Sequence, residues 1–179
     1  MSSWSYGNIR FRGLEMDILN MLKNEIGWCG TDKVSHVPVH HNPIVKKNKF
    51  GEPTVECPED VKKINWNYPG FYFKSGNRSI LGDGLVIFPA YRHEYSYENE
   101  EDERVVWVFD GFHEAYGVEI SKFQEIAKKY RLDIRINVWD QGFESYTNVV
   151  ILADGEVEKY EMPEYKDWAW ESEMPQMGG

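Results

Sequence analysis

The feature that most constrains this fold is a strictly alternating run at residues 132–139. Its apolar side chains are Leu132, Ile134, Ile136 and Val138. The polar side chains between them are Asp133, Arg135 and Asn137. Because successive side chains of a strand point to opposite faces, this period of two predicts a strand with one buried and one exposed face. Residues 144–152 and 156–160, each reached through a glycine turn, are predicted to continue it as antiparallel partners.

The chain carries a strand–helix–strand pattern twice. Residues 4–12 alternate, with a slip near Gly7 that predicts a bulge, and residues 14–26 have helical spacing. Residues 105–109 form a second apolar run, followed by helical spacing at 118–130 and then the alternating run. These elements predict an α+β fold of the ferredoxin-like type, an antiparallel sheet with helices on one face. The other face is then expected to carry polar residues, namely Arg10, Arg12, Asp133 and Arg135 or their neighbours.

We predict one domain spanning residues 1–179, with two irregular parts. Residues 28–70 hold five prolines and no sustained periodicity, which predicts an irregular insertion. Residues 161–179 form an acidic C-terminal tail. Between these parts, residues 79–88 are predicted to form a hairpin. The hydrophobic content of 41% and the aromatic content of 15% exclude a wholly disordered chain.

The sequence indicates neither a membrane span nor a secretory signal. Its uncharged apolar runs fall far short of the ~20 residues that a span requires, and residues 1–13 contain no apolar stretch. Cys29 and Cys57 are too few for a disulfide framework and fit a reducing compartment. We therefore expect a cytoplasmic protein.

Two parts of the chain resemble a known family. Residues 4–13 (WSYGNIRFRG) resemble the opening strand and glycine turn of the YubB-type ferredoxin-like family of plasmid and phage proteins. Residues 115–118, 123–130, 132–139 and 142–155 resemble the C-terminal half of that family. The resemblance implies the ferredoxin-like fold and a mobile-element origin, with the host cytoplasm as location, and it implies no reaction.

The charge of the chain is unevenly distributed. The total is −10, of which residues 1–93 contribute +3 and residues 94–179 contribute −13. An acidic balance disfavours non-specific binding to nucleic acid or anionic membranes, because phosphates are repelled. An uneven balance favours a basic partner, and a merely solvated acidic surface is the alternative.

Two acidic segments also contain aromatic side chains. The predicted partner-binding residues of the first are Glu94, Tyr95, Tyr97, Glu98, Glu100, Glu101, Asp102 and Glu103. Those of the second are Glu161, Glu164, Asp167, Trp170 and Glu171. Carboxylates attract a basic groove over a distance, and aromatic rings bury area once they reach it. A solvated loop and tail would have the same composition.

Together, the charge and the resemblance predict a non-enzymatic phage protein that binds and inhibits a basic host protein through acidic surfaces. A nucleic-acid-handling defence enzyme is the expected partner, which would make the protein anti-CRISPR-like. The alternative is a nucleic-acid-binding ferredoxin-like module, with phosphates contacted by Arg10, Arg12, Lys46, Lys47 and Lys49. The sequence leaves the oligomeric state open.

No cofactor is expected, although zinc remains an alternative. Four residues of the proline-rich part could supply zinc ligands: Cys29, His36, His40 and Cys57. Only His36 and His40 have a compact ligand spacing, and exposed histidines with ordinary thiols are the other interpretation. The sequence shows no distinctive set of nucleophile, base and orienting residue, and no glycine-rich loop leading into a helix. We therefore predict no enzymatic activity.

Overall fold

The structure is a computed structural model that describes residues 4–64, 66–75, 78–89, 91–94, 103–140 and 146–161. The helices in these ranges are α1 (Glu15–Glu25) and α2 (Ile120–Tyr130), with one 3-10 turn at Val61–Lys63. The strands are β1 (Trp4–Leu14), β2 (Ile26–Asp32), β3 (Pro38–His41), β4 (Ile44–Lys47), β5 (Pro53–Glu56), β6 (Trp66–Phe73), β7 (Ser79–Asp83), β8 (Val86–Ile87), β9 (Tyr91–Glu94), β10 (Arg104–Ala115), β11 (Asp133–Asp140), β12 (Tyr146–Ile151) and β13 (Val157–Glu161). None of the described helices is long and apolar enough to cross a membrane.

Ten of the described strands form one sheet, in which the assigned pairings are antiparallel. Nine of them follow the order β13-β12-β11-β1-β10-β7-β6-β2-β3. The remaining strand, β9, pairs with the first part of β10, whereas β7 pairs with the last part of β10. Strands β4, β5 and β8 form a second sheet. The molecule is therefore an α+β fold built on mostly antiparallel pairing, as the sequence predicts.

The inner face of the large sheet is apolar and is covered by the helices. On β1 it presents Ile9 and Phe11, both 0% exposed. Other fully or nearly buried side chains of this core are Trp107, Phe109, Ile134, Ile136, Ile18, Met21, Leu22, Phe123, Ile126 and Ala127. The two helices lie side by side, because Lys129 and the Tyr130 hydroxyl of α2 both donate to Glu25 of α1 at 2.7 Å. Burial of this face provides the main driving force for folding.

The irregularity predicted near Gly7 is present, but the extra residue belongs to the neighbouring strand. Gly7 pairs with Phe112 and Ile9 pairs with Phe109. One residue separates the paired positions on β1 and two residues separate them on β10, so β10 holds the extra residue. The pairing of β1 with β11 runs through this point without a shift. Gly7 itself is required by close approach, since a Cβ there would lie 1.9 Å from the carbonyl oxygen of Asn137. The bulge leaves β1 regular, so its side chains alternate between the two faces.

The prediction of an irregular insertion at residues 28–70 is wrong, because five strands (β2 to β6) lie wholly or partly in it. Strands β3, β4 and β5 are four residues long, too short to show a period. Pro38 and Pro53 each begin a strand, a position where a missing N–H is tolerated. The predicted hairpin at 79–88 is also wrong: β7 pairs with β6 and β10, and β8 pairs with β5.

Candidate functional site

The outer face of the sheet, opposite the helices, carries aligned rows of aromatic and polar side chains. Even-numbered residues of β1 point to this face, and the continuous register with β11 places Tyr6 opposite Trp139, Asn8 opposite Asn137, and Arg10 opposite Arg135. The register of β11 with β12 extends these rows to Tyr146, Asn148 and Val150. The prediction that Arg10, Arg12, Asp133 and Arg135 share this face is confirmed.

One end of the outer face is an aromatic stripe, formed by Trp4, Tyr6, His113, Trp139 and Tyr146. The Tyr6 and His113 rings are 5.3 Å apart, and the Trp139 and Tyr146 rings are 4.3 Å apart with planes tilted by 31°. Tyr6 is 49% exposed. The stripe crosses four strands, β10, β1, β11 and β12, a width of about 14 Å at the usual strand spacing. The rings are tilted against one another, by up to 70° between Trp4 and His113, so planar ligands would stack on single exposed rings such as Tyr6.

An asparagine row lies next to the stripe and joins the aromatic and arginine rows. The Asn8 side-chain oxygen accepts hydrogen bonds from Asn137 Nδ2 at 3.3 Å and from Arg10 Nε at 3.2 Å. The Asn137 oxygen in turn accepts the Tyr146 hydroxyl at 2.9 Å. Asn148 accepts Arg135 Nε at 3.3 Å. Hydrogen bonds across three strands hold the side chains in place before any ligand arrives, which lowers the entropy cost of binding.

Arginines of β1, β10 and β11 lie beyond the asparagine row on the outer face. Arg12 Nε donates to Asp133 Oδ2 at 2.7 Å, and Arg104 lies 3.7 Å from the same oxygen. Within the described part of the chain, no carboxylate lies within ion-pair distance of Arg10 or Arg135. A groove of about 270 Å³ between these side chains is lined by Arg10, Arg12, Val106, Asp133, Arg135, Val150 and Glu158. Two cationic groups therefore remain available to an anionic ligand.

The local positive charge contrasts with the charge of the whole chain. The described residues hold 19 basic and 21 acidic side chains, a net charge of −2 out of the total of −10. Most of the acidic excess thus belongs to residues 95–102, 141–145 and 162–179, which lie outside the described ranges. The charges of the described residues are therefore close to balance.

The predicted acidic partner surface falls mostly outside the described residues. Glu103 is exposed just before β10, Glu94 pairs opposite Val105 at the end of β9, and Glu161 pairs opposite Asn148 at the end of β13. The other predicted partner-binding residues lie outside the described ranges: Tyr95, Tyr97, Glu98, Glu100, Glu101, Asp102, Glu164, Asp167, Trp170 and Glu171.

The four candidate zinc ligands are only partly brought together. Cys29 on β2 pairs directly opposite His40 on β3, and His40 contacts the Tyr72 hydroxyl at 3.2 Å. His36 is exposed in the turn before β3, and Cys57 is buried in the core. Burial raises the pKa of both thiols, which disfavours the thiolate that zinc requires. Among the described residues, no group of three or more His, Cys, Asp or Glu side chains is placed to hold a metal ion.

Sequence reasoning missed the aromatic stripe and the asparagine row as site features. Tyr6, Asn8 and Arg10 stand at alternate positions opposite the apolar side of β1, so the face that they share could be predicted. Their neighbours could not be predicted, because Trp139 and Tyr146 join Tyr6 only through a register that spans more than 130 residues of sequence. Register between distant strands is a tertiary property.

Three comparisons with known proteins give no relative from which to assign this face. No protein-family model matches the chain, and no curated protein and no solved structure matches it. A function for the outer face therefore has to be inferred from its geometry.

Proposed function

We propose that the protein binds single-stranded nucleic acid on the outer face of its sheet. One observation carries the proposal: the aromatic stripe and the cationic side chains of Arg10 and Arg135 share a single, hydrogen-bonded surface. Bases stack on aromatic rings while cationic side chains contact the phosphates, and neither contact requires a particular sequence. This is the alternative function that the sequence suggests, and the geometry of the outer face favours it.

A single strand suits this surface better than a duplex. Stacking on Tyr6 or Trp139 requires the accessible flat side of a base. In a double helix that side is covered by the neighbouring base pairs. A broad sheet face also does not enter a groove as a helix or a two-stranded ribbon does. We therefore expect preference for single strands and little preference among sequences.

The strand order supports the ferredoxin-like type proposed from the sequence. In that fold the order is fourth, first, third and second strand, with helices on one face. Strands β11, β1, β10 and β2 follow this order, with β7 and β6 inserted between β10 and β2. We propose an elaborated ferredoxin-like fold, in which the inserted strands widen the sheet on one side of β10. The outer face would then correspond to the base-stacking face of RNA-recognition modules.

Fluorescence anisotropy with a labelled mixed-sequence oligonucleotide of about 12 nucleotides tests the proposal. We expect micromolar binding to the single strand at ~50 mM salt, weaker binding to the matching duplex, and a clear loss at ~200 mM salt. The double substitution Arg10→Gln and Arg135→Gln should reduce the affinity at least tenfold.

A matched control makes this result specific to the outer face. Lys33 and Lys63 are exposed at other places on the molecule, so Lys33→Gln with Lys63→Gln removes the same charge. This control should bind nearly as well as the parent protein. Equal losses in the two double variants, or no binding to single strands at low salt, would contradict the proposal.

A second candidate function is favoured by the acidic segments of the sequence. Residues 95–102 hold four acidic and no basic residues, and residues 162–179 hold four acidic residues and one lysine, a composition that suits a basic partner. This is the anti-CRISPR-like inhibition of a basic host defence enzyme that the sequence predicts, with a mobile-element origin.

Deleting residues 162–179 separates the two functions. The deletion removes four acidic residues and one lysine, so strand binding should stay equal or increase because repulsion falls. Inhibition of CRISPR interference against a targeted plasmid, measured in cells, should disappear if the acidic segment acts on the partner. A truncated protein that loses strand binding and retains inhibition would contradict both the proposed binding face and the role of the acidic segment.

A further inference from the structure

The arginine-lined groove of the outer face also contains an exposed carboxylate, that of Glu158 on β13. Among the residues that the structure describes, no cationic side chain lies within ion-pair distance of this carboxylate. The other carboxylate of the groove belongs to Asp133, and it already accepts Arg12 Nε at 2.7 Å. Glu158 is therefore an acceptor in the groove that the described part of the protein does not use.

A β-bulge places Glu158 in the groove. Val150 of β12 pairs with Lys159, and the next residue of β12, Ile151, pairs with Val157, so Glu158 is the extra residue of β13. In a regular strand Glu158 would pair with Ile151, which is 0% exposed in the core of the inner face. Val157 takes that position and packs against the core, and Glu158 lines the outer groove instead. Bulges redirect side chains in this way next to functional sites.

The two arginines that have no carboxylate partner among the described residues are anchored on different strands. Arg10 of β1 and Arg135 of β11 pair directly, and like charges at directly opposite positions repel each other. Arg10 Nε donates to Asn8 on β1, whereas Arg135 Nε donates to Asn148 on β12. Each guanidinium group has further N–H donors beyond Nε. A phosphate group that accepts from both arginines offsets their repulsion.

The charges of the groove decide what kind of group reaches Glu158. A cation is repelled by the arginines that line the groove, and a second anion is repelled by the carboxylate itself. A neutral hydroxyl group donates a hydrogen bond to the carboxylate without either penalty. Because β13 lies two strands beyond β11, the carboxylate and the arginines contact different parts of a ligand.

A nucleotide of RNA carries both of the groups that this groove fits. Its phosphate is the anion, and its ribose has a 2′-hydroxyl, which a carboxylate also accepts in dinucleotide-binding folds. The groove volume of about 270 Å³ is below the usual range for pockets that enclose whole small molecules. It therefore suits a sugar and a phosphate, while bases of the same strand stack outside it on the aromatic stripe.

We propose that the ligand of the outer face is RNA and that one ribonucleotide occupies this groove. Its phosphate lies between Arg10 and Arg135, and its 2′-hydroxyl donates to the carboxylate of Glu158. The inference rests on the single-strand binding proposed above and names the sugar of that strand. DNA lacks the hydroxyl, leaves the carboxylate without a donor, and is bound more weakly.

Three strands of one mixed sequence, each about 12 nucleotides long, test the proposal on the full chain. They are RNA, DNA and RNA with 2′-O-methyl groups throughout, which retains the ribose and has no 2′-hydroxyl to donate. We expect RNA to bind about tenfold more tightly than the other two, because they lack a hydrogen bond to a charged group. Fluorescence anisotropy at ~50 mM salt measures the three affinities.

Two variants of neighbouring glutamates locate the preference. Glu158→Ala removes the acceptor and should bind RNA, DNA and the 2′-O-methyl strand equally, with DNA affinity unchanged or higher because one repelling charge is lost. Glu156 is exposed two residues earlier and does not line the groove, so Glu156→Ala is the matched control. It removes the same charge and should retain the preference for RNA.

The outcomes separate this inference from the proposed function. Equal binding of RNA and DNA by the parent protein, or a preference for RNA that persists in Glu158→Ala, would overturn the inference and leave single-strand binding intact. A 2′-O-methyl strand that binds the parent as tightly as RNA would also overturn it, since the hydroxyl would not be recognised. A parent protein that binds none of the three strands would overturn both proposals.

Discussion

Arg10 and Phe11 are neighbours on β1, yet they lie in opposite environments. Phe11 is 0% exposed on the inner face, with its ring 6.0 Å from that of Phe109 and 6.5 Å from that of Phe73. Arg10 lies half-buried on the outer face and reaches Asn8 at 3.2 Å. The first side chain is held by apolar packing, which has no preferred direction, and the second by a directional hydrogen bond.

This difference separates stability from binding on the same strands. Packing on the inner face depends on volume and apolar area, so a substitution there lowers the stability of the whole fold. The outer face depends on which side chains the register places side by side, so a substitution there weakens the binding of a ligand. Each of the following changes acts on one face and should leave the other nearly unaffected.

The largest effect is expected from Phe11→Ala. Removing a fully buried phenyl ring leaves a cavity in the inner face and should lower the free energy of unfolding by ~3–5 kcal/mol, measured by urea denaturation. The matched variant Arg10→Ala should stay within ~0.5 kcal/mol of the parent. A loss below ~1 kcal/mol for Phe11→Ala would show that the inner face is not the core that the structure indicates.

A smaller effect is expected from Tyr6→Ala in the aromatic stripe. Loss of one stacking position should weaken single-strand binding by ~1–3 kcal/mol, a roughly 5- to 150-fold change in dissociation constant. Tyr68 is 94% exposed outside the stripe, so Tyr68→Ala is the matched control and should keep its affinity. If the two variants bind equally well, the stripe does not stack bases.

Arg135 provides a test based on the salt dependence of binding. Arg135→Gln should make the slope of log affinity against log salt concentration shallower by about 0.7, the value for one phosphate contact on a single strand. Arg135→Lys retains the charge and should retain the slope. If Arg135→Gln keeps the salt dependence of the parent protein, the phosphate contacts are made by other residues.

The smallest effect concerns the helix layer on the inner face. Partial burial raises the pKa of Glu25, but hydrogen bonds from Lys129 and Tyr130 more than offset this and hold the pKa below its usual value. The ionised carboxylate therefore stabilises the fold above the unfolded-state pKa of about 4.3, and this stabilisation is lost as the pH falls through the lower folded-state pKa. Glu25→Gln should cost about 1 kcal/mol near pH 7, and the cost should vanish in strong acid.

Urea denaturation of both proteins across the acid range measures this dependence on pH. The difference in unfolding free energy should shrink steadily below about pH 4.3. Single-strand affinity should be the same for both proteins near pH 7, because Glu25 lies in the helix layer. A constant difference from neutral to strongly acidic pH would mean that Glu25 contributes through packing and not through its charge.

Different elements were predictable to different degrees. The sequence predicted β10 and β11, which flank α2, and it predicted α1, which follows β1. Each of these elements is long enough to show its period. Strands β3, β4 and β5 were missed because four residues do not define a period, and their prolines suggested loops. Of the outer face, Arg10, Arg12 and Arg135 were placed correctly, whereas Trp139 and Tyr146 were not connected to Tyr6.

The sequence by itself determined the composition of each face, because alternation along β1 and β11 assigns apolar residues to one side and polar residues to the other. It also determined the uneven charge along the chain. Only the tertiary structure decided which polar residues become neighbours, since the rows Tyr6–Trp139–Tyr146 and Asn8–Asn137–Asn148 arise from pairing between strands far apart in sequence. It likewise placed Lys122 of α2 against Glu114 of β10, 2.8 Å apart in the interior. Local periodicity fixes the direction of a side chain, and long-range register fixes its partner.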